Sequence, residues 1–180
     1  LTALRTYYRI AAGTFREPLY ADREELHFIA LRGLFGIPLV AATVVYILNL
    51  PWAPWSFVPL PAWLRWTGAG LCLAAVALIA AAHRALDGSF SPTIRLRRHH
   101  RLVTTGPYAV VRNPGYLGNI LALFGVGLAL SSLVGIVLTL VAAVGLAIRI
   151  RREERMLLAE FGDQFRAYAQ RTHRLVPLIY

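Results

Sequence analysis

The chain contains no lysine. All 19 of its basic residues are arginines, set against nine acidic ones. Cysteine occurs once, as Cys72, which excludes an internal disulfide and any zinc site built from clustered cysteines. Of the five histidines, His83, His99, His100 and His173 are scattered and show no metal-ligand spacing. No pair of residues stands out as a nucleophile with its base, and no internal repeat is visible. The first 18 residues, LTALRTYYRIAAGTFREP, carry charges throughout and lack an apolar core, so no secretory leader is expected in them.

Charge itself is missing over long stretches. None falls between Gly33 and Leu50, none between Trp66 and Ala82, and none over the 36 residues from Asn113 to Ile148. With 57% hydrophobic residues and a mean hydropathy of +0.55, the chain is too apolar for an ordinary soluble domain of 180 residues. A span needs roughly 20 apolar residues, so each of the first two blocks predicts one membrane helix. As a single helix the third would reach about 54 Å, well beyond a hydrocarbon core of ~30 Å. It is expected to fold as a tight hairpin of two shortish helices, turning near Ser131-Ser132. The prediction is an all-α polytopic membrane protein of about four transmembrane helices with a tight C-terminal hairpin.

The net charge of +10 is distributed between these blocks. The inter-span loop PWAPWSFVPLPAW has no charge and is rich in Trp and Pro. The next, His83 to Arg112, has six arginines against Asp87 alone; the tail from Arg149 has seven and the N-terminal segment five. Excess arginine marks the cytoplasmic side, which places both termini there and the Trp-rich loop at the outer interface. Basic charge placed this way argues for membrane lipids as partners and against nucleic acid. The expected localisation is the inner (plasma) membrane, with the active site facing the cytoplasm.

Residues 1–30 are expected to form a cytoplasmic interfacial segment, read either as an amphipathic helix with Arg5 and Arg9 near lipid phosphates or as a solvated leader. Residues 31–180 form the membrane domain. In the tail, Leu157, Phe161, Phe165 and Tyr168 recur at helical spacing, predicting a cytoplasmic amphipathic helix that continues the fourth span or bends away from it. Gly162 interrupts that helix, and Pro177 ends the segment beyond it.

Two features go beyond what membrane helices require. In LVTTGPYAVVRNPGYLG, Leu102 to Gly118, Pro107 and Pro114 bias the residues before them away from helix, so no continuous helix is expected from Thr104 to Asn113. Irregular backbone at membrane depth persists only where it is buried in protein or lines a cavity. Free N–H groups at the following helix start suit an anion. An ordinary loop capped by Asn113, with Pro114 at the first helical position, fits the same residues. The second feature is Arg149-Ile-Arg-Arg-Glu153-Glu154. Arg149 and Glu153, four residues apart, share one helix face. They read either as a surface ion pair of under about 1 kcal/mol or as a polar pocket at headgroup depth. Chemistry without a covalent intermediate suits such a site: two substrates held in line, with rate gained from proximity and desolvation.

HHRLVTTGPYAVVRNPGYLG, followed about forty residues later by RREERMLLAEFGDQFRAYAQRTHRLVP, resembles the isoprenylcysteine carboxyl methyltransferase family. That family is grouped with the phospholipid methyltransferases among integral-membrane enzymes that use S-adenosylmethionine. The resemblance covers roughly residues 83–178, and its cofactor-binding part is taken as 93–180. It implies that His100, Arg101, Leu102 and Val103 line the cofactor site, largely through backbone. It further implies that Tyr108 packs on or bonds to the cofactor, and that Asn113, Pro114, Gly115 and Tyr116 stand where the family has a His-Pro-x-Tyr run. Glu153 would bind the cofactor with Glu154 beside it, and Arg149 would position the substrate. Arg112, Arg174 and Pro177 match further family positions. Asn113 replaces the family's histidine and cannot titrate near pH 7. That Asn-Pro pair looks more like the phospholipid N-methyltransferases, whereas the C-terminal pattern looks more like the carboxyl methyltransferases.

The implied function is methyl transfer from S-adenosylmethionine to a lipophilic acceptor from the bilayer, a carboxylate such as a prenylcysteine-like C-terminus. Alternatives are a phospholipid amine or a phenolic lipid as acceptor, a sterol reductase using a nicotinamide cofactor, and a non-enzymatic scaffold or transporter subunit. No metal is called for.

Overall fold

The computed structural model describes residues 57–86 and 102–176, with positions 37, 40, 41, 44 and 48 beside them. The expected interfacial segment over 1–30 lies outside the described residues. So do most of the first expected span, most of the basic loop before Leu102, and Pro177, His100 and Arg101. The described part is helical, with two isolated bridges and no strand among the described residues.

Helix α1, Ala62–Leu86, begins where Pro61 offers its carbonyl to the N–H groups of Leu64 and Arg65. It contains no proline, and its last turn carries His83 and Arg84, cations suited to a helix C-terminus. Helix α2, Pro114–Ala129, starts with a proline at the first helical position, where the missing N–H is not needed. Helix α3, Leu133–Phe161, comes after residues 130–132. Helix α4, Asp163–Gln170, is short and amphipathic. At 1.5 Å per residue, α1 and α3 reach about 37 and 43 Å and α2 about 24 Å. By length and composition α1 and α3 can cross a membrane, whereas α2 is a shorter apolar helix. Leu133, Val137, Leu140, Val141, Val144 and Ile148 leave an exposed apolar side on α3, the kind of surface hydrocarbon accepts.

Two close contacts set the geometry. Gly68, Cys72, Ala75 and Ile79 of α1 meet Gly118, Ala122, Gly125 and Ala129 of α2. A Cβ on Gly68 would stand 2.6 Å from the Gly125 carbonyl oxygen, and one on Gly125 2.7 Å from the Gly68 carbonyl oxygen. Only glycine permits backbones this close. At the other end of the seam Gly118 lies against Ile79, so the two helices are antiparallel. Helix α3 then returns along α2, with Ile136 beside Gly127 at one end and Arg149 beside Tyr116 at the other.

The turn before α3 is tight. Ser131 holds φ 53°, the Ser132 N–H donates to the Gly127 carbonyl, and the Ser132 hydroxyl caps α3 by accepting from Gly135 N–H. Val58 N–H donates to the Ser131 carbonyl, which lays the segment before α1 against this turn. The spacing over 149–168 leaves open whether the tail helix continues the span or bends from it. The structure does both in sequence: α3 runs unbroken to Phe161, then Gly162 at φ 50° redirects the chain into α4.

Candidate active site

The Leu102–Asn113 segment is broken backbone, as its two prolines predict. Leu102 to Thr104 are half-buried and non-helical. Among the described residues none of their backbone groups is hydrogen-bonded. A single 3-10 turn, Gly106–Ala109, comes next, entered through Gly106 at φ 61°. Asn113 occupies the cap position of α2 without capping it. Its carbonyl accepts from Tyr116 and Leu117 N–H, while its side-chain amide donates to the Arg174 carbonyl at 2.8 Å.

Two polar clusters lie where the start of α2 meets the C-terminal half of α3. In the first, Arg149 is buried at 5% exposure and its Nε donates to both Tyr116 Oη at 2.7 Å and Glu153 Oε1 at 2.9 Å. Tyr116 Oη in turn donates to Glu153 Oε1 at 2.5 Å, and the guanidinium carbon lies 6.0 Å from the Tyr116 ring centre. This is no surface ion pair: a cation, a carboxylate and a phenol are locked together across two helices. Tyr108 belongs to the same neighbourhood. Burial pushes its phenol well above the usual range, and nearby Tyr168 and Glu153 add to the shift.

In the second cluster Glu154 holds two arginines, Arg112 Nε at 2.9 Å and Arg174 Nε at 2.8 Å. Arg112 also donates to the carbonyls of Ala169, at 2.7 Å, and Thr172. His173 pairs with the 110–112 backbone, its N–H donating to the Val110 carbonyl and its carbonyl accepting from Arg112 N–H. Tyr168 Oη donates to the Tyr108 carbonyl at 2.8 Å, and burial raises this phenol to about 12. The chain after α4 is thereby strapped to the broken segment before α2.

The expected site residues divide between these clusters. Tyr108, Tyr116, Arg149 and Glu153 come together; Leu102 and Val103 are half-buried in the broken segment that leads to Tyr108. Pro114 is fully buried, and Gly115 faces open space at its Cβ position. Both carboxylate oxygens of Glu154 are taken by arginines on the strap. Sequence reasoning missed Tyr168, Ala169 and Thr172 as strap partners. Tyr168 did carry a signal, its helical register with Phe161 and Phe165, whereas a backbone carbonyl such as that of Ala169 leaves no trace in sequence.

An all-helical apolar fold with a polar site at one end of an α2–α3 pair defines a class of membrane-type protein. Comparison with known proteins identifies the family within that class. The phospholipid methyltransferase family profile matches residues 63–164, more than half of the chain, and the chain belongs to that family. Protein-S-isoprenylcysteine O-methyltransferase B of Arabidopsis thaliana is 37% identical over 94 residues, 51% of this chain and 48% of its own length. The cobalt-zinc-cadmium resistance protein of Cupriavidus metallidurans is 40% identical over 82 residues, 45% of this chain and 38% of its own. The chain spans about half the length, or less, of the curated relatives it matches. A solved eukaryotic intramembrane Ras methyltransferase shares the fold at TM-score 0.69 and 24% identity, covering 98% of this chain and 60% of that one.

Proposed function

We propose that this protein is an integral-membrane methyltransferase that moves the methyl group of S-adenosylmethionine to the carboxylate of a lipophilic acceptor, such as a prenylcysteine-like terminus. The observation that carries the reading is the Tyr116–Arg149–Glu153 cluster, in which a buried arginine and a phenol hold a partly exposed carboxylate. The residues suit the cofactor. Leu102 and Val103 offer N–H and carbonyl groups that are bonded to nothing among the described residues, as a nucleoside edge requires. The family resemblance gives His100 and Arg101 the same role. Gly115 leaves open space beside Tyr116, and Glu153, 24% exposed, presents a carboxylate to a ligand with net positive charge. When bound, S-adenosylmethionine supplies an electrophilic methyl group.

The chain's own residues supply placement and charge. Tyr116 fixes Glu153 and Arg149 in one orientation, so neither must reorganise when a ligand arrives. Tyr108 closes the wall, and Asn113 and Pro114 hold it at the start of α2. Arg149 positions the acceptor carboxylate. Charge balance favours that acceptor: Arg149 and Glu153 cancel, and the cofactor's net positive charge is offset by an acceptor anion. A neutral amine would leave the buried site with an uncompensated positive charge. Glu154 acts on the site through the strap. Residues 31–180 form the membrane domain, with about four spans, 93–180 as the cofactor-binding part, and 1–30 at the interface. The arginine excess turns the site towards the cytoplasm at the inner (plasma) membrane.

The test supplies labelled S-adenosylmethionine to purified protein with a prenylcysteine analogue, a phosphatidylethanolamine and a long-chain phenol in parallel. Base-labile label on the prenylcysteine alone is expected, and Arg149→Lys should lose it while still binding cofactor, because lysine lacks the planar fork. Label on the amine alone would transfer the function to phospholipid N-methylation, the reading that Asn113 and the family's name favour. Absence of both label and cofactor binding would overturn the class.

A further inference from the structure

Helix α2 has only two polar side chains in sixteen residues, Tyr116 and Asn119. Tyr116 belongs to the polar cluster, but Asn119 is exposed and its side chain has no hydrogen-bond partner among the described residues. An exposed carboxamide on an apolar helix one turn inside its end is unfavourable against hydrocarbon, and such residues tend to mark a ligand path. Its surroundings are open. Asn119 lies four residues after Gly115 and so shares its helix face. The Cβ positions of Gly115 and of Gly145 on α3 both have nothing within 4 Å. Gly145 is four residues before Arg149 and shares its face in the same way.

The two faces meet on one side of the helix pair. At about 100° per residue, α2 turns Gly118, Ala122 and Gly125 to α1, and Tyr116 and Gly127 to α3. Gly115 and Asn119 fall between these directions. The Tyr116–Arg149 bond fixes the level of α3 against α2, and the antiparallel run carries Gly145 and Arg149 round to that same side. Gly115 and Asn119 on one helix and Gly145 and Arg149 on the other therefore lie on one side of the pair, next to the Tyr116–Glu153 contact.

We propose that these four positions wall a lateral crevice for the acceptor and that Asn119 is its specificity-determining residue. It reads an amide group set within about 5 Å of the acceptor's reacting end, the rise of the three to four residues that separate it from Tyr116 and Gly115. Asparagine both donates and accepts, which matches the paired N–H and carbonyl of an amide. Gly145 leaves room for the apolar chain beside it. The proposal rests on the methyltransferase reading and adds which part of the acceptor is recognised, and by which side chain.

The test compares N-acetyl-S-farnesylcysteine with the same thioether acid lacking the acetamido group, in wild type, Asn119→Leu, Gly145→Leu and Gly70→Leu. Gly70 on α1 also faces open space and serves as the control. Methyl transfer gives KM for each acid, and competition against a photoreactive farnesyl acid gives its binding without turnover. Wild type should prefer the amide-bearing acid by roughly tenfold, the scale of one net hydrogen bond. Asn119→Leu should lose that preference with cofactor affinity unchanged, because its KM for the amide-free acid stays at the wild-type value. Gly145→Leu should weaken both acids, and Gly70→Leu neither. An active wild type whose preference survives Asn119→Leu overturns this proposal alone. A wild type that neither methylates nor binds either acid overturns it together with the methyltransferase reading.

Discussion

Glu153 and Glu154 are adjacent in sequence, and replacing each by glutamine should fail in different ways. Glu154 is 11% exposed and bridges Arg112, 10% exposed, and Arg174, 31% exposed. Glutamine keeps the shape, so no cavity opens. The charge is lost, however, and the new NH2 group faces a guanidinium, placing donor against donor. Arg112 then keeps only neutral partners, the carbonyls of Ala169 and Thr172 and the Thr172 hydroxyl. Removing one partner of a buried ion pair costs about 3–5 kcal/mol. The more exposed Arg174 contact adds under about 1 kcal/mol. Because one oxygen still accepts a hydrogen bond, the lower end, about 3 kcal/mol, is expected for Glu154→Gln. For a chain of this size that lowers the midpoint of thermal unfolding by about 6–12 °C.

Tryptophan fluorescence of detergent-solubilised protein during a thermal ramp measures this shift, with calorimetric titration of S-adenosylmethionine on the same samples. Glu153→Gln also takes a carboxylate from a buried arginine, but Glu153 is 24% exposed and Tyr116 still holds Arg149, so its melting shift should be smaller than that of Glu154→Gln. Its main loss should be cofactor affinity. The strap argument fails if Glu154→Gln melts with wild type, or if Glu153→Gln is the variant that unfolds early.

Glu153→Ala should weaken cofactor binding by about 1–3 kcal/mol, the cost of losing a charged hydrogen bond, and unchanged calorimetric affinity would sink that assignment. Gly125→Leu should prevent α1 from packing on α2, because its Cβ would already stand 2.7 Å from the Gly68 carbonyl oxygen; loss of folded protein in size-exclusion chromatography is the expected result. Tyr168 carries a phenol raised from 10.0 to about 12, and Tyr108 is raised further. Below pH 10 both folded and unfolded chains keep these protons, but between about 10 and 12 only the folded chain does. The stability they contribute should therefore hold to about pH 9 and fall as pH rises through 10–12, with Tyr168→Phe flattening that fall in pH-jump melts. A reporter fused after Tyr180 should read out on the cytoplasmic side.

Much of this architecture is legible from simple periodicities. Pro107 and Pro114 forbid a continuous helix, and the structure breaks there. The serine pair at 131–132 lies where α2 gives way to α3. Gly162 interrupts a helical register, and the chain changes direction at that residue. Charge-free length alone marks α1 and α3. The extent of α3 is less legible, because a hydrophobic count sees a span and then an amphipathic helix as two objects. Backbone hydrogen bonding sees one, since nothing between Leu133 and Phe161 interrupts the ladder.

The site is legible in composition but not in division of labour. Arg149 and Glu153 are four apart and so share one face, and a 2.9 Å ion pair joins them there. By sequence alone Glu154 reads as a second copy of the same function. A helix rotates about 100° per residue, so adjacent carboxylates cannot serve one small site equally. One faces Tyr116 on α2; the other faces the strap brought back by α4. Which face meets which neighbour depends on contacts such as Arg112 to Ala169, 57 residues away, that no local pattern encodes. The same rotation explains Asn113. As a cap residue its side chain would serve its own helix, but the returning strap offers the Arg174 carbonyl instead, and the amide donates there. Asparagine at this position can therefore hold the wall together without titrating, so this one contact keeps its charge state through the range where a histidine would change it.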